Sequence, residues 1–139
     1  MSQSLEWRAS GNGDGMKRFE FHIKGQIKGG KNNMLMTRTG KHYPKAIWAI
    51  WRNQVVRELI ETCKPTSETM LTEPCKMTVV YIPEDHRRRD MSAMLDSLFH
   101  CMERAGLIED DSLVVNLSWA ALAKNKENAG ANIIIEEIT

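Results

Sequence analysis

Residues 87–114 read RRRDMSAMLDSLFHCMERAGLIEDDSLV, and the fold follows from how that stretch must be laid out. Asp90 stands where a helix would begin, and aspartate is among the residues preferred as an N-cap. Met91, Met94, Leu95, Leu98, Phe99 and Met102 then recur at helical spacing, which predicts a helix from Asp90 to about Arg104 with Gly106 as its C-terminal stop. A strand is expected on each side of it. Met77–Ile82 (MTVVYI) is a short, continuous, β-branched run, the mark of a strand covered on both faces, and Leu113–Trp119 reads as the strand that follows the helix. Strand, helix and strand in succession point to an α/β domain.

Moving outward, Phe19–Lys24 alternates apolar with polar residues and predicts a half-buried strand. Residues 25–43 form a long basic loop containing Lys28, Lys31, Arg38, Lys41 and His42, with room for a short hairpin through Met34–Thr37. Pro44 suits the first turn of a second helix, whose apolar positions (Ile47, Trp48, Ile50, Trp51, Val55, Val56, Leu59, Ile60) continue to about Cys63. Trp48 and Trp51 share a face and read as core, in preference to a base-stacking platform. Residues 64–74 connect, residues 131–138 close the chain as a strand, and a polar loop with Lys124 and Lys126 precedes that strand. The expected fold is therefore a single α/β domain: a mixed sheet of about four strands with two packed helices. Residues 1–15 are polar and glycine-rich and read as a flexible N-terminal tail to a domain spanning 16–139.

Composition bounds the rest. A chain of 139 residues with a net charge of +1 is long enough to bury a core without staples. The charge is unevenly spread, however. Residues 16–43 hold seven Lys/Arg against one Glu, and residues 90–139 hold nine Asp/Glu against three Lys/Arg. Such a division fits one part that grips phosphates and another that holds a cation. Cys63, Cys75 and Cys101 lack CxxC spacing and read as reduced, packed thiols. No basic-then-apolar leader opens the sequence and no segment approaches the length of a membrane span, so a cytoplasmic protein is expected.

The chemistry-bearing residues concentrate in the opening stretch. Carboxylates Asp90, Asp96, Asp110 and Asp111, expected to converge beside Arg87, Arg88 and Arg89, suggest a divalent metal acting on a polyanion. Each has a plainer reading. Asp90 could cap its helix, Asp110 and Asp111 could make a turn, Asp96 could be solvated, and the arginines could be a solvated charge run. His22, His42, His86 and His100 have no zinc-like spacing and read as structural or surface residues.

Taken together, the opening strand, a loop with GKNN and TGKHYPKA, a Trp-bearing helix, RRRD, and AGLIEDDSLVV resemble the RusA family of Holliday junction resolvases, phage and prophage endonucleases, over most of residues 19–138. The resemblance implies a homodimer in a bacterial cytoplasm that binds four-way DNA junctions and nicks two strands symmetrically with Mg²⁺ (or Mn²⁺). Asp90 and Asp111 would be the metal ligands, supported by Asp96 and Asp110, while Arg87, Arg88, Arg89, Lys31, Lys41 and Lys124 would hold the DNA backbone. One departure stands in the middle of the motif. Where the family has a second aspartate, an asparagine and a lysine, this chain has Ser92, Ala93 and Asp96. Two expectations follow: Asp96 takes over the missing carboxylate one turn along, or the protein binds junctions and cuts weakly or not at all. An unrelated enzyme acting on a small phosphorylated substrate is disfavoured, because no glycine-rich cradle stands between a strand and a helix.

Overall fold

Alternation in the first strand is realised directly: β1 (Arg18–Lys24) buries Phe19, Phe21 and Ile23 and leaves His22 and Lys24 exposed. The structure, a computed structural model, describes residues 16–29, 34–36, 42–44 and 46–138. Within the basic loop, β2 (Met34–Met36) and β3 (His42–Pro44) pair antiparallel as a separate two-stranded ribbon. The hairpin expected at Met34–Thr37 is thus only the first arm of this ribbon. Pro44 closes β3 instead of opening a helix, and α1 runs from Ala46 to Cys63. The proposed tail, together with Lys31 and Lys41, lies outside the described residues.

Helix α1 buries Trp48, Trp51, Val55, Leu59 and Cys63, so both tryptophans belong to the core. Strand β4 (Cys75–Ile82), helix α2 (Met91–Ala105), a single 3-10 turn at Asp111–Leu113, β5 (Val114–Ala121) and β6 (Gly130–Glu137) complete the domain. The main sheet has the order β1-β6-β4-β5. β6 lies antiparallel between β1 and β4, and β5 runs parallel to β4 on the far edge. Parallel neighbours need a crossover, and α2 supplies it. The domain is therefore α/β, with a mixed four-stranded sheet and two helices.

One expectation for the sheet fails. β4 alternates, with Cys75, Met77, Val79 and Tyr81 buried and Lys76 exposed, so only one face is covered. The helices pack on that side, and Lys76 reaches Glu136 at 3.8 Å across the other. The continuous apolar run misled because Thr78, Val80 and Ile82 are partly shielded on the face away from α1 and α2. Leu98, Met102, Ile133 and Ile135 are fully buried at the centre of the covered face. Each such side chain contributes about 1.5–3 kcal/mol through burial.

All three cysteines are free and buried. Burial pushes the Cys63 and Cys75 thiols up to about 11 and the Cys101 thiol up to about 12, which keeps them protonated and inert. Among the described residues no helix is long and apolar enough to cross a membrane.

Candidate functional site

The end of β4 forms a corner held together by one amide. Gln26 Nε2 donates to the Tyr81 hydroxyl at 2.6 Å and to Ile27 O at 3.2 Å, while its carbonyl oxygen accepts from Glu84 N at 3.1 Å. The start of the basic loop is thereby fastened to the turn after β4. A further close approach is made by Gly29, where a Cβ would stand 2.8 Å from the Ala93 Cβ in the first turn of α2. The segment after β5 follows the same edge, with Leu122 N donating to Tyr81 O (2.8 Å) and Asn125 N to Pro83 O (2.9 Å).

The three arginines separate into two kinds. Arg89 is only 15 % exposed at its side chain and binds Asp85 at 2.7 Å and Glu84 at 3.4 Å. Its hydrogen bond to Asp85, helped by the Arg87 backbone N–H, holds that carboxyl down at about 2. Arg89 is therefore neutralised locally and serves as an anchor. Arg87 and Arg88 are exposed and make no ion pair among the described residues, which leaves two guanidiniums to meet an external anion.

Asp90 is the N-cap of α2, with φ −81° and ψ 110°. Its Oδ1 accepts from Ser92 N (3.0 Å), Ala93 N (3.4 Å) and the Ser92 hydroxyl (2.8 Å). The capping role is thus filled, and Ser92, at the position where the resembled family carries a carboxylate, is a donor to Asp90. A cleft of about 360 Å³ opens beside this cap, lined by Lys28, Glu84, Arg87, Arg88, Arg89 and Asp90 among others. Two exposed cations, Lys28 and the positive end of α2 make it an anion-attracting pocket with two carboxylates in its wall. A second cavity of about 530 Å³ adjoins it, where Tyr81, Trp119 and Met91 meet His86, Arg87 and Lys124.

The other carboxylates lie elsewhere. Gly106 adopts φ 85° and ends α2, its N–H bonding to the Glu103 and Met102 carbonyls. Leu71 N then donates to Leu107 O (2.8 Å) and Glu109 N to Leu71 O (3.0 Å), so backbone pairing fixes the loop that carries the acidic pair. Glu103 accepts from Asp111 N at 2.7 Å, and Asp110 accepts from both the backbone N–H and the hydroxyl of Ser112. These bonds lower the Asp110 pKa. Glu103, Asp110 and Asp111 bring carboxylate oxygens within 4.8 Å of one another, the one such acidic group among the described residues. Hard oxygen donors at that separation could hold a divalent cation, although none of the three is buried.

Within one chain, then, Asp90 and Asp111 do not meet. A fifteen-residue helix separates them, a rod of roughly 22 Å. Asp90 sits at the C-terminal end of the parallel strand pair, and Asp111 at the start of β5. The expected convergence of all four aspartates is corrected accordingly: Asp110 and Asp111 cluster with Glu103, Asp90 joins the arginines, and Asp96 stands exposed on α2 outside the acidic group. Lys124 lies near Arg87 in the second cavity. Sequence reasoning missed Gln26, Glu84 and Glu103 as parts of these two corners. For Glu103 a signal existed, since a glutamate in the last turn of a helix can fold back on the loop just after it. No family model matches the chain, and a search of curated proteins finds no match.

Proposed function

We propose that this protein is a Mg²⁺-dependent, structure-specific endodeoxyribonuclease that resolves four-way DNA junctions by paired symmetric nicks as a homodimer, in recombination and repair. The observation that carries the reading is the cleft at the start of α2, where Arg87, Arg88 and Lys28 surround Asp90 and Glu84. A phosphodiester is the ligand such a wall suits, because its charge is met by guanidiniums and a helix N-terminus while carboxylates stand beside it. Recognition would come through backbone position and shape more than base edges.

Asp90 and Glu84 at the cleft, or Asp110, Asp111 and Glu103 at the far corner, are the residues that would hold the ion. When bound, Mg²⁺ or Mn²⁺ supplies an activated water and offsets charge on the phosphorus. The protein's own contribution is positional: Arg89 locks the corner through Asp85, and Arg87 and Arg88 hold the phosphate.

A second reading has a specific observation behind it. Ser92 spends its hydroxyl on Asp90, and Asp96 lies outside the acidic group, so the protein could hold junctions without cutting them. Incubation of a synthetic mobile four-way junction with Mg²⁺ or with EDTA, resolved on denaturing and native gels, separates the two. Paired metal-dependent nicks support the nuclease. Retention without nicks supports the binding protein.

A further inference from the structure

Strand β5 brings Trp119 and Ala121 to the carboxyl end of its parallel pair with β4, the end at which open α/β sheets take ligands. Trp119 stands in register with Val79, and Ala121 with Tyr81. Val79 and Tyr81 are buried on the helix-bearing face, so Trp119 and Ala121 share that face. Between the turn after β4 and the segment after β5 opens the cavity of about 530 Å³.

Its wall divides into an aromatic floor and a cationic rim. The rings of Tyr81 and Trp119 lie 5.4 Å apart and are tilted by 45°. Tyr81 is 5 % exposed, and its hydroxyl accepts from Gln26. Trp119 is only partly buried, and its indole N–H has no acceptor among the described residues. Met91 and Leu122 also line the cavity and are 45 % and 51 % exposed, large apolar side chains left in water around one opening. On the rim, the side chains of His86, Arg87 and Lys124 make no ion pair and no hydrogen bond among the described residues. Asp85, the carboxylate in this wall, is already held by Arg89. A flat ring with negative charge attached beside it is complementary to such a wall.

Arg87 lines both this cavity and the cleft at Asp90. A phosphate on Arg87 therefore stands at the join, and a group linked to that phosphate can lie over Trp119. In a nucleotide that group is the base. A base within a duplex is stacked and paired, so only one that has left the stack can enter.

We propose that this cavity takes the base of an unpaired nucleotide, stacked on Trp119 with its phosphate on Arg87. Stacking uses the face of a base, which all four bases have, so the site selects unpaired DNA and not a sequence. The position of the phosphate rests on the nuclease reading, whereas the stacking of the base does not.

Fluorescence anisotropy on the full chain is the test, with two probes of equal charge: a short single-stranded oligothymidylate and the same backbone with an abasic residue at every position. The wild type should hold the thymidylate about tenfold more tightly or better, the worth of one stacked base. Trp119→Leu should erase that difference and leave affinity for the abasic strand unchanged. Ala121→Trp, which fills the cavity from an exposed position, should do the same, and it decides alone if Trp119→Leu does not fold. With 5-iodouracil in place of one thymine, irradiation should attach the strand at Trp119 or Tyr81, as read by peptide mapping. Equal affinity of the wild type for the two strands, including binding to neither, overturns the proposal and leaves the cavity to an apolar side chain of a protein. So does a difference that both variants retain. Nicking of a four-way junction is scored in parallel. A base-dependent difference without nicking removes the nuclease reading and keeps the base site, and nicking without the difference does the reverse.

Discussion

The two ends of α2 carry opposite charge and are built by opposite means. At the N-terminal end, side chains from distant segments do the joining: Gln26 bonds the Glu84 backbone and the Tyr81 hydroxyl, Arg89 gathers Asp85 and Glu84, and Asp90 caps the helix. At the C-terminal end the backbone does it, through Gly106 in a left-handed conformation and the pairing of Leu71 with Leu107 and Glu109. The difference teaches where charge is committed to structure. One arginine of three is consumed in holding the basic corner, whereas no cation among the described residues neutralises the acidic one.

The widest separation between the corners should come from removing one carboxylate charge at each. Asparagine caps a helix about as well as aspartate, so Asp90→Asn should keep the fold and lower junction cleavage at least a hundredfold, with binding retained or tighter. Asp111→Asn should match it if both corners serve one reaction, and wild-type nicking by either variant on a denaturing gel removes that corner from the site. Asp96→Asn is the companion measurement. Activity close to wild type would leave Asp96 a solvated helix residue, and a loss like that of Asp90→Asn would support its having taken over the missing carboxylate.

Arg89→Met should destabilise the basic corner, since it removes charged hydrogen bonds that solvent only partly screens, read as a downward shift in the urea midpoint. Asp90→Ala should cost about 1 kcal/mol for the lost cap, and its contrast with Asp90→Asn separates capping from charge. Arg88→Ala should leave stability unchanged and reduce the salt slope of DNA binding by roughly one phosphate contact. An unchanged slope would mean that Arg88 faces solvent, not DNA.

The smallest effect concerns pH. Asp85 is held below its ordinary value of 3.8, at about 2, chiefly by Arg89. Because the unfolded chain binds this proton first as pH falls, the contribution is complete above 3.8 and is lost on the way down to about 2. Asp85→Asn should flatten the acid limb of stability in that window. An acid limb with unchanged slope would show that the Arg89 pair adds nothing in solution.

Much of this could be read directly. Asp90 as a cap, Gly106 as a stop, both tryptophans as core and the alternation of β1 are local consequences of residue type and spacing, and each is seen. The basic corner was half legible: RRRD announces charge, but nothing local tells Arg89, turned inward to Asp85, from Arg87 and Arg88. Gln26 lies 55 residues from Tyr81 along the chain, and no pattern in a single sequence reports that contact.

Sequence by itself determined the four strands of the main sheet, the two helices, their order and the α/β class, because hydrophobic period, caps and turn residues act over a few positions. Tertiary structure alone decided which carboxylates meet. Twenty-one positions separate Asp90 from Asp111, a short step along the chain, yet a helix is a rod and the crossover must run the length of the sheet before β5 can start parallel to β4. That geometry sends the two aspartates to opposite ends of the domain, gives Asp111 the neighbour Glu103 in place of Asp90, and leaves on the sheet's far edge a strand with acid at one end and base at the other.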